Sequence, residues 1–163
     1  MASWRRMTIE DVPDLLRVAD QVHPGLPESG NVFGERVKLF PEGCLILANQ
    51  DKVYGYAISH PIRQRQPPAL DTLLGGIAPD ADQYYIHDVA ILPELRGCGH
   101  AAEGIRRLLE VAGRYPTACL VSVYGTAPFW SRFGFEPEQV DPALLEKLRN
   151  YGDDAVYLSR RSG

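Results

Sequence analysis

The chain has 163 residues, 45% hydrophobic and 23% charged, with a formal net charge of -4. That length suits one domain spanning 1–163, and the composition supports a packed core rather than disorder. The mild acidity and scattered basic pairs (Arg5-Arg6, Arg106-Arg107, Arg160-Arg161) disfavour bulk nucleic-acid binding.

The three cysteines, Cys44, Cys98 and Cys119, are far apart and form no CxxC pair. Neither a zinc knuckle nor a disulfide framework is indicated, and a reducing cytoplasm is the simplest setting. No signal-peptide core stands at the N-terminus and no apolar run reaches bilayer length, so no membrane role is expected.

In chain order, residues 3–7 read as a short strand. Thr8 looks like an N-cap, with Asp11 three residues on. Ile9, Val12, Leu15, Leu16 and Ala19 recur at helical spacing to about Val22. His23-Pro24-Gly25-Leu26-Pro27 breaks that helix. A second helix is expected over 29–40. Residues 44–49 and 53–60 read as strands, and the short polar link between them predicts an antiparallel hairpin.

Residues 61–82 carry Pro61, Pro67, Pro68, Pro79 and the pair Gly75-Gly76. They read mostly as a long excursion, of the kind that is functional or mobile inside a compact domain. Residues 84–92 form the strongest strand candidate. A helix over 101–113 follows, with Ile105, Leu108, Leu109 and Ala112 on one face. Residues 118–124 are nearly all apolar, as in a strand buried on both sides. A short helix is expected over 128–133 and another over 141–150, capped by Asp141 with Pro142 at its first position. Residues 154–160 close the chain as a strand. The fold class is α/β (α+β): a mixed sheet with one parallel crossover, flanked by helices.

The chemical signal lies where strand 84–92 passes through Arg96-Gly97-Cys98-Gly99-His100-Ala101 into a helix. The first N–H groups of a helix lack internal partners, and the helix dipole makes that end mildly positive. Phosphate oxygens satisfy such donors. Glycine permits positive φ and close backbone approach, and Arg96 adds a cationic fork. Each charge-assisted hydrogen bond contributes roughly 1.5–3 kcal/mol. Gly97-x-Gly99-x-x-Ala102 also matches the dinucleotide fingerprint, which would make the chain an oxidoreductase. However, the stretch Leu92 to Arg96 stands before the glycines, and no acid stands near Leu120, where the ribose partner belongs.

The segment from His87 through Asp88, Val89, Pro93 and Arg96 to Ala101 resembles the V-x-P-x-x-R-G-x-G-x-G/A signature of the GNAT acyltransferases. Ala127-Pro128-Phe129-Trp130-Ser131-Arg132-Phe133-Gly134-Phe135 is similar to the later F-Y-x-x-x-G-F segment of that family. The resemblance implies a mostly antiparallel GNAT sheet, acetyl-CoA as acyl donor without a metal, and acetyl transfer to a primary amine. The acceptor it implies is a small molecule or a protein amine, and family members are often homodimers. It further implies that the backbones of Val89, Ala90 and Ile91 pair with pantetheine. Arg96, Gly97, Cys98, Gly99, His100 and Ala101 would take the pyrophosphate, and Phe129 and Trp130 would lie near the thiol end.

An alkyl amine has a pKa near 10.4, so presenting it neutral at pH 7 costs roughly 4–5 kcal/mol, and a general base supplies that step. His87 is the first candidate, since arylalkylamine-type members of the family carry a histidine at the matching place and its ordinary pKa suits neutral pH. Asp88 points to the opposite face if the strand alternates; a bulge there would change that. Trp130 stands where the family has its acidic tyrosine, and indole donates no proton at neutral pH. Tyr124 and Tyr85 are the substitutes for the acid. Tyr54, Tyr56, Tyr85 and Trp130 would line an apolar slot for an aryl or alkyl amine. The alternative to an enzyme is a non-catalytic acyl-CoA binding or sensing module, which Trp130 favours.

Overall fold

The computed structural model describes residues 1–162. Its centre is a seven-stranded sheet of β1 (Ser3–Arg6), β2 (Cys44–Ala48), β3 (Val53–Ile62), β4 (Gln83–Ile91), β5 (Thr117–Ser122), β6 (Glu136–Pro137) and β7 (Val156–Arg161). The order across the sheet is β1-β2-β3-β4-β5-β7-β6, and only β4 and β5 run parallel. The crossover between those two is α3 (His100–Ala112). The mixed, mostly antiparallel sheet is the one the sequence predicts.

Helices α1 (Val12–Val22) and α2 (Gly30–Leu39) cover one face. Leu15, Val18, Phe33 and Val37 pack there against Ile46, Tyr56, Ile58 and Ala90. Helix α3 covers the other face, where Ile105, Leu108 and Ala112 meet Leu47, Tyr84, Ile86 and Leu120. The short α4 (Ala127–Ser131) packs on that face through Trp130. Helix α5 (Pro142–Arg149) lies on the α1–α2 side over Tyr85, Cys119 and Tyr157.

Local chemistry fixes the element ends. Asp11 accepts from the Thr8 N–H at 2.8 Å and closes the expected capping box, but residues 9–11 form a single 3-10 turn before α1 begins. Asp141 caps α5 by accepting from the Leu144 N–H at 2.8 Å, with Pro142 in first position. Strand β3 runs two residues beyond its expected end, through Pro61, which sits opposite Tyr84. The two-residue β6 was not legible, because Glu136-Pro137 carries no strand pattern. Among the described residues, no helix is long and apolar enough to cross a membrane.

Two interruptions of the sheet position the site. Strands β4 and β5 pair only over Gln83–Ile86 against Thr117–Leu120, although β4 continues to Ile91. Beyond Ile86, β4 follows β3 and β5 follows β7, so the sheet opens. The second interruption is a bulge: Ile58 faces Asp88 and Ser59 faces Ile86, leaving His87 without a partner.

Candidate active site

The bulge decides which side chains reach the opening. Tyr84 and Ile86 point to the α3 face and Tyr85 to the other. One inserted residue resets the alternation. Val89 and Ile91 return to the α3 face, and Ala90 joins the α1–α2 face. His87 and Asp88 therefore both face the α1–α2 side and line one cavity. The opposite-face expectation for Asp88 is corrected by the bulge.

That cavity is lined by His23, Leu26 and Glu28 from the α1–α2 link, His87 and Asp88 from β4, and Val121 and Val123 from β5 and its end; Leu70 and Tyr151 also border it. It measures about 30 Å³, room for one or two waters.

Two imidazole–carboxylate pairs stand in it. His87 Nε2 lies 2.7 Å from Glu28 Oε1, and the two side chains are 1% and 4% exposed. The second Glu28 oxygen accepts from the Asp71 N–H at 3.0 Å. His23 Nε2 lies 3.0 Å from Asp88 Oδ1, and both side chains keep 15% exposure. The Tyr56 hydroxyl donates to the other Asp88 oxygen at 2.6 Å. Burial pushes the Asp88 carboxyl up, but the bond and charge of His23 outweigh it, and its pKa lies below the usual value. Burial likewise pulls the His23 imidazole down, and Asp88 outweighs that, leaving it above the usual histidine value. His23 and Glu28 were not candidates in the sequence. The His-Pro-Gly-Leu-Pro stretch gave only a helix break, and nothing in it signals pairing with β4.

The glycine loop lies at the other mouth of the opening. Gly97 and Gly99 both have φ of +82°, and a Cβ at either would meet no atom within 4 Å. The requirement there is backbone conformation, not space. The N–H groups of Gly97, Cys98, Gly99 and His100 donate to no protein acceptor among the described residues. Gly99 caps α3 in the left-handed conformation. Trp4 anchors this helix start, donating from Nε1 to the His100 carbonyl at 2.8 Å. Ala101 follows in the first turn, partly buried against the core. Arg96 is exposed and its Nε donates to the Ile91 carbonyl at 3.1 Å, which ties its guanidinium beside the loop. Cys98 is exposed.

Strand β4 connects the two mouths. The Leu92 N–H donates to the Tyr54 carbonyl at 2.8 Å. By the alternation of an antiparallel ladder, Ala90 then directs its backbone to β3, and Val89 and Ile91 direct theirs into the opening. Of the three backbones expected to pair with pantetheine, two have that orientation.

The other candidates are dispersed. Tyr124 is 50% exposed, has φ of +55°, and stacks on His23 with ring centres 5.7 Å apart. Tyr85 is fully buried behind His87, and burial pushes its hydroxyl well above the usual tyrosine pKa. Trp130 is 8% exposed and packs on Phe135 in the α3-side core, with Phe129 edge-on beside it. The expected aromatic slot does not form. Tyr56 and Tyr85 lie on one face of the sheet and Trp130 on the other. Among the described residues, no group of three or more His, Cys, Asp or Glu side chains is placed to hold a metal ion.

The sequence pattern of the acetyltransferase (GNAT) family matches residues 9–135. Comparison with curated protein sequences gives no match. Among solved structures, the loading GNATL domain of CurA from Lyngbya majuscula superposes with a TM-score of 0.81 at 17% identity, covering 99% of this chain and 98% of that one. The GphF GNAT-like decarboxylase, in complex with isobutyryl-CoA, gives 0.72 at 16% identity, covering 99% and 100%. Naa50 of Arabidopsis thaliana, bound to the bisubstrate analogue CoA-Ac-MVNAL, gives 0.71 at 13% identity, covering 98% and 97%.

Proposed function

The chain belongs to the acetyltransferase (GNAT) family, and from that premise we propose that it moves an acetyl group from acetyl-CoA to a primary amine. One observation carries the reading. The opening between β4 and β5 joins a loop of free N–H donors to a pocket holding two imidazole–carboxylate pairs. A fold alone does not specify an activity, so the weight rests on this juxtaposition.

The pyrophosphate of the donor would take the N–H groups of Gly97 to Ala101, aided by the Arg96 guanidinium. The pantetheine amides would meet the backbones of Val89 and Ile91, bringing the thioester toward the bulge. The acceptor would enter from the pocket side, beside the His23–Asp88 pair. A pocket imidazole takes the amine proton, and the neutral nitrogen attacks the thioester carbonyl. The C–N bond forms, the C–S bond breaks, and the thiolate leaves. Tyr124 is the one candidate hydroxyl at the pocket edge available to protonate it. Incubating the protein with acetyl-CoA and an amine library should release free thiol and acetylated amine in equal amounts. Tight coenzyme binding with no product from small amines or peptide N-termini would instead favour a sensing module.

A second reading comes from the structural comparisons. Decarboxylation of a 2-carboxyacyl-CoA needs only a proton as acceptor, and one structurally similar protein is a GNAT-like decarboxylase. Release of carbon dioxide from malonyl-CoA, with no amine required, would select this reading over acetyl transfer.

A further inference from the structure

The two imidazole–carboxylate pairs are not equivalent, and the difference divides their labour. We infer that His23, oriented by Asp88, is the proton acceptor for the incoming amine, whereas His87 and Glu28 are positioning residues that latch the 63–82 loop over the pocket. The inference rests on the acyl-transfer reading above and assigns the base within it.

The His87 pair is sealed. Its side chain is 1% exposed, and Nε2 is committed to Glu28. With a carboxylate as the partner, Nε2 carries the hydrogen of the neutral ring, so the lone pair sits on Nδ1. That atom is buried without a partner, in a ring cluster with Tyr85 and His60 at centroid distances of 5.8 and 6.2 Å. His87 thus keeps its basic nitrogen beside buried rings, on a side chain almost without exposure.

Glu28 reaches both ways. One oxygen holds His87 and the other holds the Asp71 N–H of the loop. Asp71 returns the tie by accepting from the Ser29 N–H at 2.8 Å. Glu35 accepts from the N–H groups of Leu74 and Gly75, and Arg36 donates to the Thr72 carbonyl. Apart from the His87 bond, each of these contacts joins the loop to α2 or to the two residues just before it. Leu70 of the same loop borders the cavity, so releasing the latch enlarges it.

The His23 pair differs in exposure. Asp88 fixes Nε2–H, leaving Nδ1 as an unpartnered lone pair, enclosed like that of His87, but on a side chain that keeps 15% exposure at the cavity wall where His87 keeps 1%. Asp88 is itself held by the Tyr56 hydroxyl. A base oriented by a third group is the arrangement that general-base and nucleophile activation require. His23 also caps the C-terminus of α1, where the helix dipole favours the imidazolium formed on proton uptake. The groups facing it are Asp88 and His87 from β4, Tyr56 from β3, Glu28 from its own segment, Tyr124 beyond β5, Tyr151 beyond α5, and Arg96 from the glycine loop. Burial lowers the His23 pKa, Asp88 and the Val89 backbone together outweigh it, and Arg96 opposes them.

The test is the pH dependence of kcat/KM for wild type, His23→Gln, Asp88→Asn and His87→Gln, with acetyl-CoA affinity measured in parallel. The wild-type rate should rise with pH through a single ionisation. His23→Gln should abolish that rise and lower kcat/KM about 10²- to 10⁴-fold, with coenzyme affinity within about twofold. Asp88→Asn should move the rise to lower pH, because it removes the charge that holds the proton on His23. His87→Gln should keep the rise and change the acceptor KM instead. An NMR titration of the wild-type imidazoles covers a variant that does not fold: the ring that titrates with the kinetic ionisation should be His23. A His23→Gln enzyme with the wild-type rise, or a His87 ring that titrates with it, overturns the assignment. Wild type that binds acetyl-CoA without turnover on any amine overturns the acyl-transfer reading itself.

Discussion

Gly97 and Gly99 occupy left-handed backbone that an L side chain adopts at a cost of roughly 1–2 kcal/mol. Both point into open space. A side chain there strains the loop and stands where a phosphate would sit, without disturbing the core. Gly99→Glu adds a like charge at that point. It should weaken acetyl-CoA binding at least 100-fold by calorimetry and lower the unfolding midpoint only slightly. Unchanged affinity would remove the loop from the coenzyme site. These residues were legible in the sequence because glycine spacing and the strand–loop–helix context carry their own physical meaning. His23 was not, because its role depends on Asp88, 65 positions away, and on a bulge that strand alternation does not announce. Tyr85 shows the reverse case. Its place on the His87 face was readable, but its burial was not.

At the scale of elements, α3 is held at its start by Trp4. The indole bonds the His100 carbonyl and lies against Gly104, where an added Cβ would come within 2.6 Å of the ring. Gly104→Val should therefore destabilise the fold by roughly 1–3 kcal/mol, as overpacking does, and loosen the glycine loop as well. Both effects are measurable as a lower unfolding midpoint and weaker coenzyme binding. A variant of normal stability would show that β1 does not brace the helix. Asp141→Ala tests a cap remote from the site. It should cost about 1 kcal/mol in denaturant unfolding and leave coenzyme affinity intact. Hydrophobic periodicity makes α1, α2 and α3 legible in the sequence, because each buries one stripe, and α5 is legible from its Asp141 cap and Pro142. The loop over 63–82 was readable as an excursion from its prolines and glycines. Its ties to Glu28, Glu35 and Arg36 were not, since backbone N–H groups and carbonyls supply half of every bond.

For the whole molecule, the split between β4 and β5 opens the sheet at the candidate site, and burial sets its stability against pH. His60 is fully buried, and burial, reinforced by His87, pulls its pKa to about 3. The unfolded chain takes up a proton near pH 6.5 that the folded chain refuses, so stability falls as pH drops from about 6.5 toward 3. The raised pKa of His23 acts with the opposite sign, adding stability below the ordinary histidine value that is lost as pH rises through its folded value. His60→Gln should flatten the acid-side decline in chemical unfolding relative to wild type. A decline of equal slope in both would show that another group drives it. The fold class was legible because strand, crossover helix and strand follow one another between antiparallel neighbours. The opening was implied only by the family resemblance and not by local pattern, since residues 87–91 look as strand-like as residues 83–86, and only the pairing partners distinguish them.

The most direct measurement is a crystal structure of the protein with acetyl-CoA. The pyrophosphate should lie within hydrogen-bonding distance of the N–H groups of Gly97 to Ala101, with the pantetheine along Val89 and Ile91 and the thioester beside the bulge at His87. A coenzyme bound elsewhere, or a β4–β5 opening left empty at saturating acetyl-CoA, would contradict the account.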